Sequence, residues 1–241
     1  ALPIYYTNMA DYYDVIMTSG YYDYPKIVDG LINGHAVHQV LELGCGTGLI
    51  IEELAKRKPG VPITGVDLTP EMLAIAQNRL KDFHNVKLQQ QNVCQLKLDQ
   101  QHDLAFSYGG VWYFVVEPNK KPFMVSHIPS HEDNVQGLQK MASHIASGGR
   151  LLLGTQGPHF NYEKTIANGM MYSQEILPTA DGFIKHYFLD DGDTRVMAQT
   201  IHYKTYAFEE ACNMLASVGL QPEWSMDEDH SDKLFIAFSK T

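Results

Sequence analysis

The chain predicts an α/β fold: an open, mostly parallel seven-stranded sheet with helices on both faces and a small antiparallel insertion. Three observations carry this expectation. Short apolar runs alternate with stretches of helical period between residues 37 and 155. Glycines stand where the first strand gives way to a helix. A later stretch alternates in character around an Asp-rich turn.

The elements follow in order. Two short helices are expected near 11–18 and 24–33, after an aromatic-rich start. Residues 37–43 read as a buried strand, and 49–57 as a helix stopped by Pro59-Gly60. Residues 61–66 form a second apolar strand ending at Asp67. Thr69 is placed to cap the next helix, Pro70 suits its first position, and Met72, Leu73, Ala76 and Leu80 form its apolar face. Strands are expected at 86–90 and 102–107, a helix at 133–146, and a fifth strand at 150–155. Residues 183–189 and 194–203 flank Asp190-Asp191-Gly192-Asp193, a hairpin signal. A helix at 208–217 and strands at 220–225 and 233–239 complete seven strands. The simplest organisation is one domain over 1–241, with an N-terminal aromatic cap (1–34) and an antiparallel insertion (156–206) serving as a substrate cover.

Composition narrows the function. The 241 residues are 44 % hydrophobic and 19 % charged, an ordinary globular balance. No run of about 18 apolar residues occurs and nothing at the start resembles a signal peptide, so a cytoplasmic protein without a membrane partner is expected. Cys45, Cys94 and Cys212 are scattered and lack CxxC spacing, against a structural zinc or a disulfide framework. A net charge of −10 without a basic cluster disfavours nucleic acid as partner. A small molecule is the better partner, and the oligomeric state, monomer or homodimer, is open.

The loop Glu42-Leu43-Gly44-Cys45-Gly46-Thr47-Gly48 joins the first strand to its helix. Glycines there allow a tight turn and close approach of a ligand to the backbone. The dinucleotide fingerprint requires a further glycine at position 49, which is Leu49, so a pyrophosphate is poorly served and a nicotinamide enzyme disfavoured. Asp67, about 20 residues beyond the loop at the end of the second strand, stands where a carboxylate accepts ribose hydroxyls. Loop and acid together specify a nucleoside ligand.

With these residues, the stretches V-L-E-L-G-C-G-T-G (40–48), G-V-D-L-T-P-E-M-L (65–73), Q-N-V (91–93) and S-G-G-R-L-L-L (147–153) resemble the class I, Rossmann-like S-adenosylmethionine-dependent methyltransferases, small-molecule branch. The resemblance covers 37–155 well and 205–239 loosely. It implies S-adenosyl-L-methionine as cofactor; no metal is expected. Glu42 would sit near the methionine portion, lined by Gly44, Gly46 and Gly48. Asp67 would hold the ribose, Leu68 would pack on adenine, and Asn92 and Val93 would read its edge. Ser107 would border the reactive centre. The opening Y-x-x-x-A-x-x-Y-D, matched at 6–14, implies Tyr6 and Tyr13 as tyrosines closing over the sulfonium.

Methyl transfer is an in-line displacement, so the enzyme aligns nucleophile and methyl and excludes water. Ser107-Tyr108-Gly109-Gly110-Val111-Trp112-Tyr113 replaces the Asn/Asp-Pro-Pro-Tyr motif used on planar nitrogens. Its Tyr108, Trp112 and Tyr113 are candidates to contact a flat or cationic substrate. His127 is the candidate base, since imidazole titrates near neutrality. His127 and His131 are four apart, but Pro129 between them argues against a helical metal pair. The expected activity is methyl transfer to nitrogen or oxygen of a small metabolite or natural product. The alternatives are a cyclisation or elimination with the same cofactor, or a non-catalytic S-adenosylmethionine-binding protein.

Overall fold

The computed structural model describes residues 6–33, 37–224, 230 and 232–241. Two helices, α1 (Ala10–Thr18) and α2 (Tyr24–Ile32), precede β1 (Val40–Leu43). Then come α3 (Leu49–Arg57), β2 (Ile63–Asp67), α4 (Pro70–Leu80), β3 (Val86–Gln90) and β4 (His102–Ser107). Next are β5 (Trp112–Val115), β6 (Phe123–Ser126), α5 (His131–Ser143) and β7 (Ile145–Gln156). β8 (Tyr162–Thr165), β9 (Met171–Pro178), β10 (Gly182–Asp191) and β11 (Thr194–Ala207) follow, and α6 (Phe208–Ser217), β12 (Leu220–Pro222) and β13 (Phe235–Lys240) close the chain.

Seven of these strands make the main layer in the order β3-β2-β1-β4-β7-β13-β12. The first five are parallel, and β13 runs antiparallel to β7. The mostly parallel seven-stranded sheet is therefore as the alternation of elements predicts. The end of β7 also pairs with β5, which begins a second run, β5-β6-β11-β10-β9-β8, with every further pairing antiparallel.

Side-chain alternation along β1 assigns the faces. Leu41 and Leu43 join α5 and α6 residues such as Leu138 and Leu215 in one apolar cluster. Val40 points to the other, with Ile27, Ile51 and Leu73 from α2, α3 and α4. A third cluster packs the N-terminal arm onto the antiparallel strands through Met9, Ile16, Tyr187 and Tyr203.

Local differences from the sequence reading have physical causes. β5 and β6 are not among the strands the sequence predicts. Their four-residue runs are nearly all buried and show no period-two alternation to mark them. α5, expected from residue 133, starts at His131 because Ser130 caps it, its hydroxyl accepting from Asp133 N–H at 3.2 Å. Thr69 occupies the cap position of α4 without capping: its hydroxyl accepts instead from Tyr6 N–H at 3.1 Å. Of the expected strand at 220–225, Ser225 lies outside the described residues, as does the cap's first segment, 1–5. Among the described residues no helix is long and apolar enough to cross a membrane.

Candidate active site

β1 and β4 are neighbours from which the chain departs in opposite directions, and in such sheets ligands bind at the carboxyl ends of those strands. Here the loops after β1 and β4 touch. A Cβ on Gly44 would lie 3.0 Å from Gly110 Cα, and one on Gly110 would lie 2.5 Å from the Leu43 carbonyl oxygen. Glycine at both positions lets the two loops close on one another. The cleft above them opens to solvent, with about 1280 Å³ of atom-free space in it and at its mouth. Gly44, Gly46, Asp67, Leu68, Asn92 and Val93 all line it.

Asp67 organises this wall. Its carboxylate accepts from Gly46 N–H at 2.8 Å and from Thr69 N–H at 2.9 Å, tying the glycine loop to the start of α4. Burial raises its pKa, while these backbone N–H groups oppose the rise by favouring the anion. Asn92 also has local work: its side-chain oxygen accepts from Cys94 N–H at 2.9 Å. That bond fixes the amide orientation and leaves one lone pair for a further donor.

The N-terminal arm is clamped across the loop. Thr47 donates its hydroxyl to Asp14 at 2.6 Å, and Arg79 joins Asp14 in an ion pair. Arg79 also donates to the Thr47 carbonyl at 2.9 Å. Tyr13 stands over Gly46, with its hydroxyl 3.9 Å from where a Cβ would be. Tyr6 shares a hydrogen bond of 2.8 Å with His127 Nε2 and lies 3.1 Å from the Tyr203 hydroxyl, which meets Tyr187 at 2.7 Å. Burial pushes His127 down to about 4, so its imidazole is neutral near pH 7. Burial pushes Tyr6 and Tyr13 upward, and both phenols keep their protons.

Five residues expected at the site stand away from the cleft wall. Trp112 and Tyr113 are adjacent on β5 and therefore face opposite ways. Tyr113 lines the cleft, while Trp112 is fully buried in the core and donates its indole N–H to Asn134 at 2.8 Å. Trp112 is thus a packing residue, not a substrate contact. Tyr108 is likewise turned away, packed edge-on against Tyr22 and Phe235. Ser107 is buried under its loop, where its hydroxyl accepts from Trp112 N–H at 3.4 Å. Gly48 begins α3 at φ +80°, and a Cβ there would strike Leu80 of α4 at 2.7 Å, so its need is helix packing. Glu42 is buried, with Oε2 lacking a partner, and burial raises its carboxyl well above the ordinary range. Val93 and Leu68 do line the cleft, but Thr69 beside them was expected only as a cap.

The sequence places an antiparallel cover at 156–206 but singles out no residue of the far wall. Lys185, Tyr187 and Tyr203 of the antiparallel strands and Tyr21 of the arm face the cleft. Their signal was present. Phe183, Lys185, Tyr187 and Leu189 occupy alternate positions of β10, and that face is buried throughout.

With the geometry in place, comparison with known proteins gives the class. Residues 40–149 match the family described as a methyltransferase domain. Residues 40–149 are thus similar to a methyltransferase domain, and the fold is that of Rossmann-like methyltransferase structures. Malonyl-[acyl-carrier protein] O-methyltransferase of Bacillus cereus is 41 % identical over 69 residues, 29 % of this chain and 25 % of the relative. The chain thus matches only about a quarter of that relative's length. Streptomyces venezuelae DesVI superposes with a TM-score of 0.71 at 16 % identity, covering 96 % of this chain and 98 % of that one. The S-adenosylmethionine-bound CalS10 of Micromonospora echinaspora, an amino pentose methyltransferase, gives 0.68 at 16 % identity, covering 95 % and 96 %. These two likenesses establish the fold.

Proposed function

We propose that this protein transfers the methyl group of S-adenosylmethionine to a nitrogen or oxygen of a small-molecule acceptor. One observation carries the reading: a single cleft joins a nucleoside-type wall (Gly44, Gly46, Asp67, Asn92) to a chamber of aromatic and basic side chains on other elements. Asp67 holds the ribose, Leu68 and Val93 flank the adenine, and the glycine loop receives the methionine portion. The methyl then points toward Tyr6 and His127. The unpartnered oxygen of Glu42, at the end of β1, is directed to the cofactor ammonium, directly or through water. A neutral His127 accepts the proton that a hydroxyl acceptor sheds, or that an ammonium gives up to become the neutral amine that attacks the methyl. The antiparallel strands and the arm form the cover that excludes water from the displacement.

The acceptor class is supported by the walls of the chamber and by relatives. CalS10 acts on an amino pentose, and the Bacillus cereus relative is an O-methyltransferase. The test is incubation with methyl-labelled S-adenosylmethionine and fractionated small-molecule extracts, with parallel titration of S-adenosylhomocysteine. Label should pass to an acceptor with release of S-adenosylhomocysteine. Tight cofactor binding with every label retained would instead make this a non-transferring member, and tighter binding of NAD would remove the cofactor assignment.

A further inference from the structure

Lys185 is a cation in an apolar place. It lies on the inward face of β10 between Phe183 and Tyr187, opposite Ile201 of β11, and is 2 % exposed. Its ammonium contacts the Tyr21 hydroxyl at 3.4 Å and sits 4.7 Å above the Tyr187 ring. The nearby titratable groups are Tyr21 of the arm, Tyr187 of its own strand, and His127 and His159, both within electrostatic range of it. Burial holds both histidines neutral near pH 7, lowering His127 to about 4 and His159 to about 3. No carboxylate lies within 4.0 Å of Lys185 among the described residues, and it faces the cleft.

We propose that Lys185 is the specificity-determining anchor for a carboxylate on the methyl acceptor. The inference rests on the reading of this cleft as a methyl-transfer site. A buried ammonium without a counter-ion is costly, and an anion brought by the ligand removes that cost. Burial alone lowers the lysine to about 7, so an arriving anion both finds and favours the charged form. One buried ammonium balances a monoanionic carboxylate. A phosphate dianion would leave a second buried charge uncompensated. The tyrosines at 21, 113 and 187 offer aromatic walls for the acceptor body. An ion-paired carboxylate is a poor nucleophile, so the methyl goes to another oxygen or nitrogen, the one nearer Tyr6 and His127.

The test uses 4-hydroxybenzoate, 4-hydroxybenzamide and inorganic phosphate, titrated into the S-adenosylhomocysteine complex near pH 6, below the lysine's titration, in wild type and Lys185→Met. The carboxylate should bind wild type at least roughly tenfold more tightly than the isosteric amide, as expected of one charge-assisted contact. Lys185→Met should abolish that preference while still binding S-adenosylhomocysteine, which also reports its fold. Equal binding of acid and amide, no detectable binding of the acid, tighter binding of phosphate, or a preference surviving in Lys185→Met would each overturn the proposal. Acid preference without any S-adenosylhomocysteine binding would instead overturn the cofactor reading, leaving Lys185 a carboxylate site but not an anchor for a methyl acceptor.

Discussion

Substituting Asn for Asp67 changes almost no volume but removes an acceptor, and the structure fixes what that removal does. Each Asp67 oxygen already accepts one backbone N–H, from Gly46 at 2.8 Å and Thr69 at 2.9 Å. Each retains a lone pair for one ribose hydroxyl. In Asn, the amide nitrogen must oppose one of these N–H groups and cannot accept from either partner. One hydroxyl bond is then lost, and the other falls from charge-assisted to neutral. The combined loss is about 2–4 kcal/mol, or roughly 30- to 1000-fold in Kd for S-adenosylhomocysteine. Thermal stability without ligand should change less, because Asn also removes a carboxylate whose ionisation burial disfavours. Calorimetric titration of wild type and Asp67→Asn, with a melting curve for each, measures both quantities. A variant Kd within about threefold of wild type would refute this placement of the ribose.

Other consequences can be measured separately. Glu42 has its folded pKa raised by burial, so the stability it contributes is complete below the unfolded carboxyl pKa of about 4.3 and declines as pH rises toward the folded value. The melting temperature of Glu42→Gln should therefore gain on wild type as pH rises from about 4, and a difference flat with pH contradicts the burial. His127 is lowered to about 4, so any acid limb it gives to kcat/KM should lie well below the ordinary imidazole value of about 6.5. A limb near 6.5 that vanishes in His127→Asn would show the ring to be solvated. In Gly110→Ala the new Cβ would press on the Leu43 carbonyl at 2.5 Å and the Gly44 carbonyl at 3.0 Å, neither of which can swing aside. That costs about 1–3 kcal/mol in stability and weakens S-adenosylhomocysteine binding. Gly60→Ala, with nothing within 4 Å of its Cβ, should change neither.

What the sequence revealed and concealed follows from the range of the interactions involved. The glycine loop and Asp67 were legible because a strand-turn-helix unit fixes their relation locally, with Asp67 hydrogen-bonded to Gly46 across the adjacent strand. α3, α4, β3, β4 and α6 were legible from their apolar period and from the Pro and Gly residues that bound them. β5 and β6 were not, because runs such as Trp112-Tyr113-Phe114-Val115 are buried on both faces and carry no alternation. For the same reason, nothing local told Trp112 from Tyr113, and the sheet pleat decided which one reaches the cleft. Lys185 was hidden differently. A lone lysine near an acidic hairpin reads as solvated, although its even spacing with Phe183, Tyr187 and Leu189 already placed it on the buried face. Thr69 shows tertiary structure overriding a local rule: its hydroxyl holds the arm at Tyr6 and leaves the helix uncapped.

The central claim is that one cleft holds S-adenosylmethionine along its parallel-sheet wall and presents the sulfonium to the chamber opposite. A crystal structure of the S-adenosylhomocysteine complex tests it most directly. The ribose hydroxyls should lie on Asp67, the adenine beside Asn92 and Val93, and the sulfur should face Tyr6, His127 and Lys185. A ligand bound elsewhere, or one whose sulfur faces away from that chamber, would contradict the account.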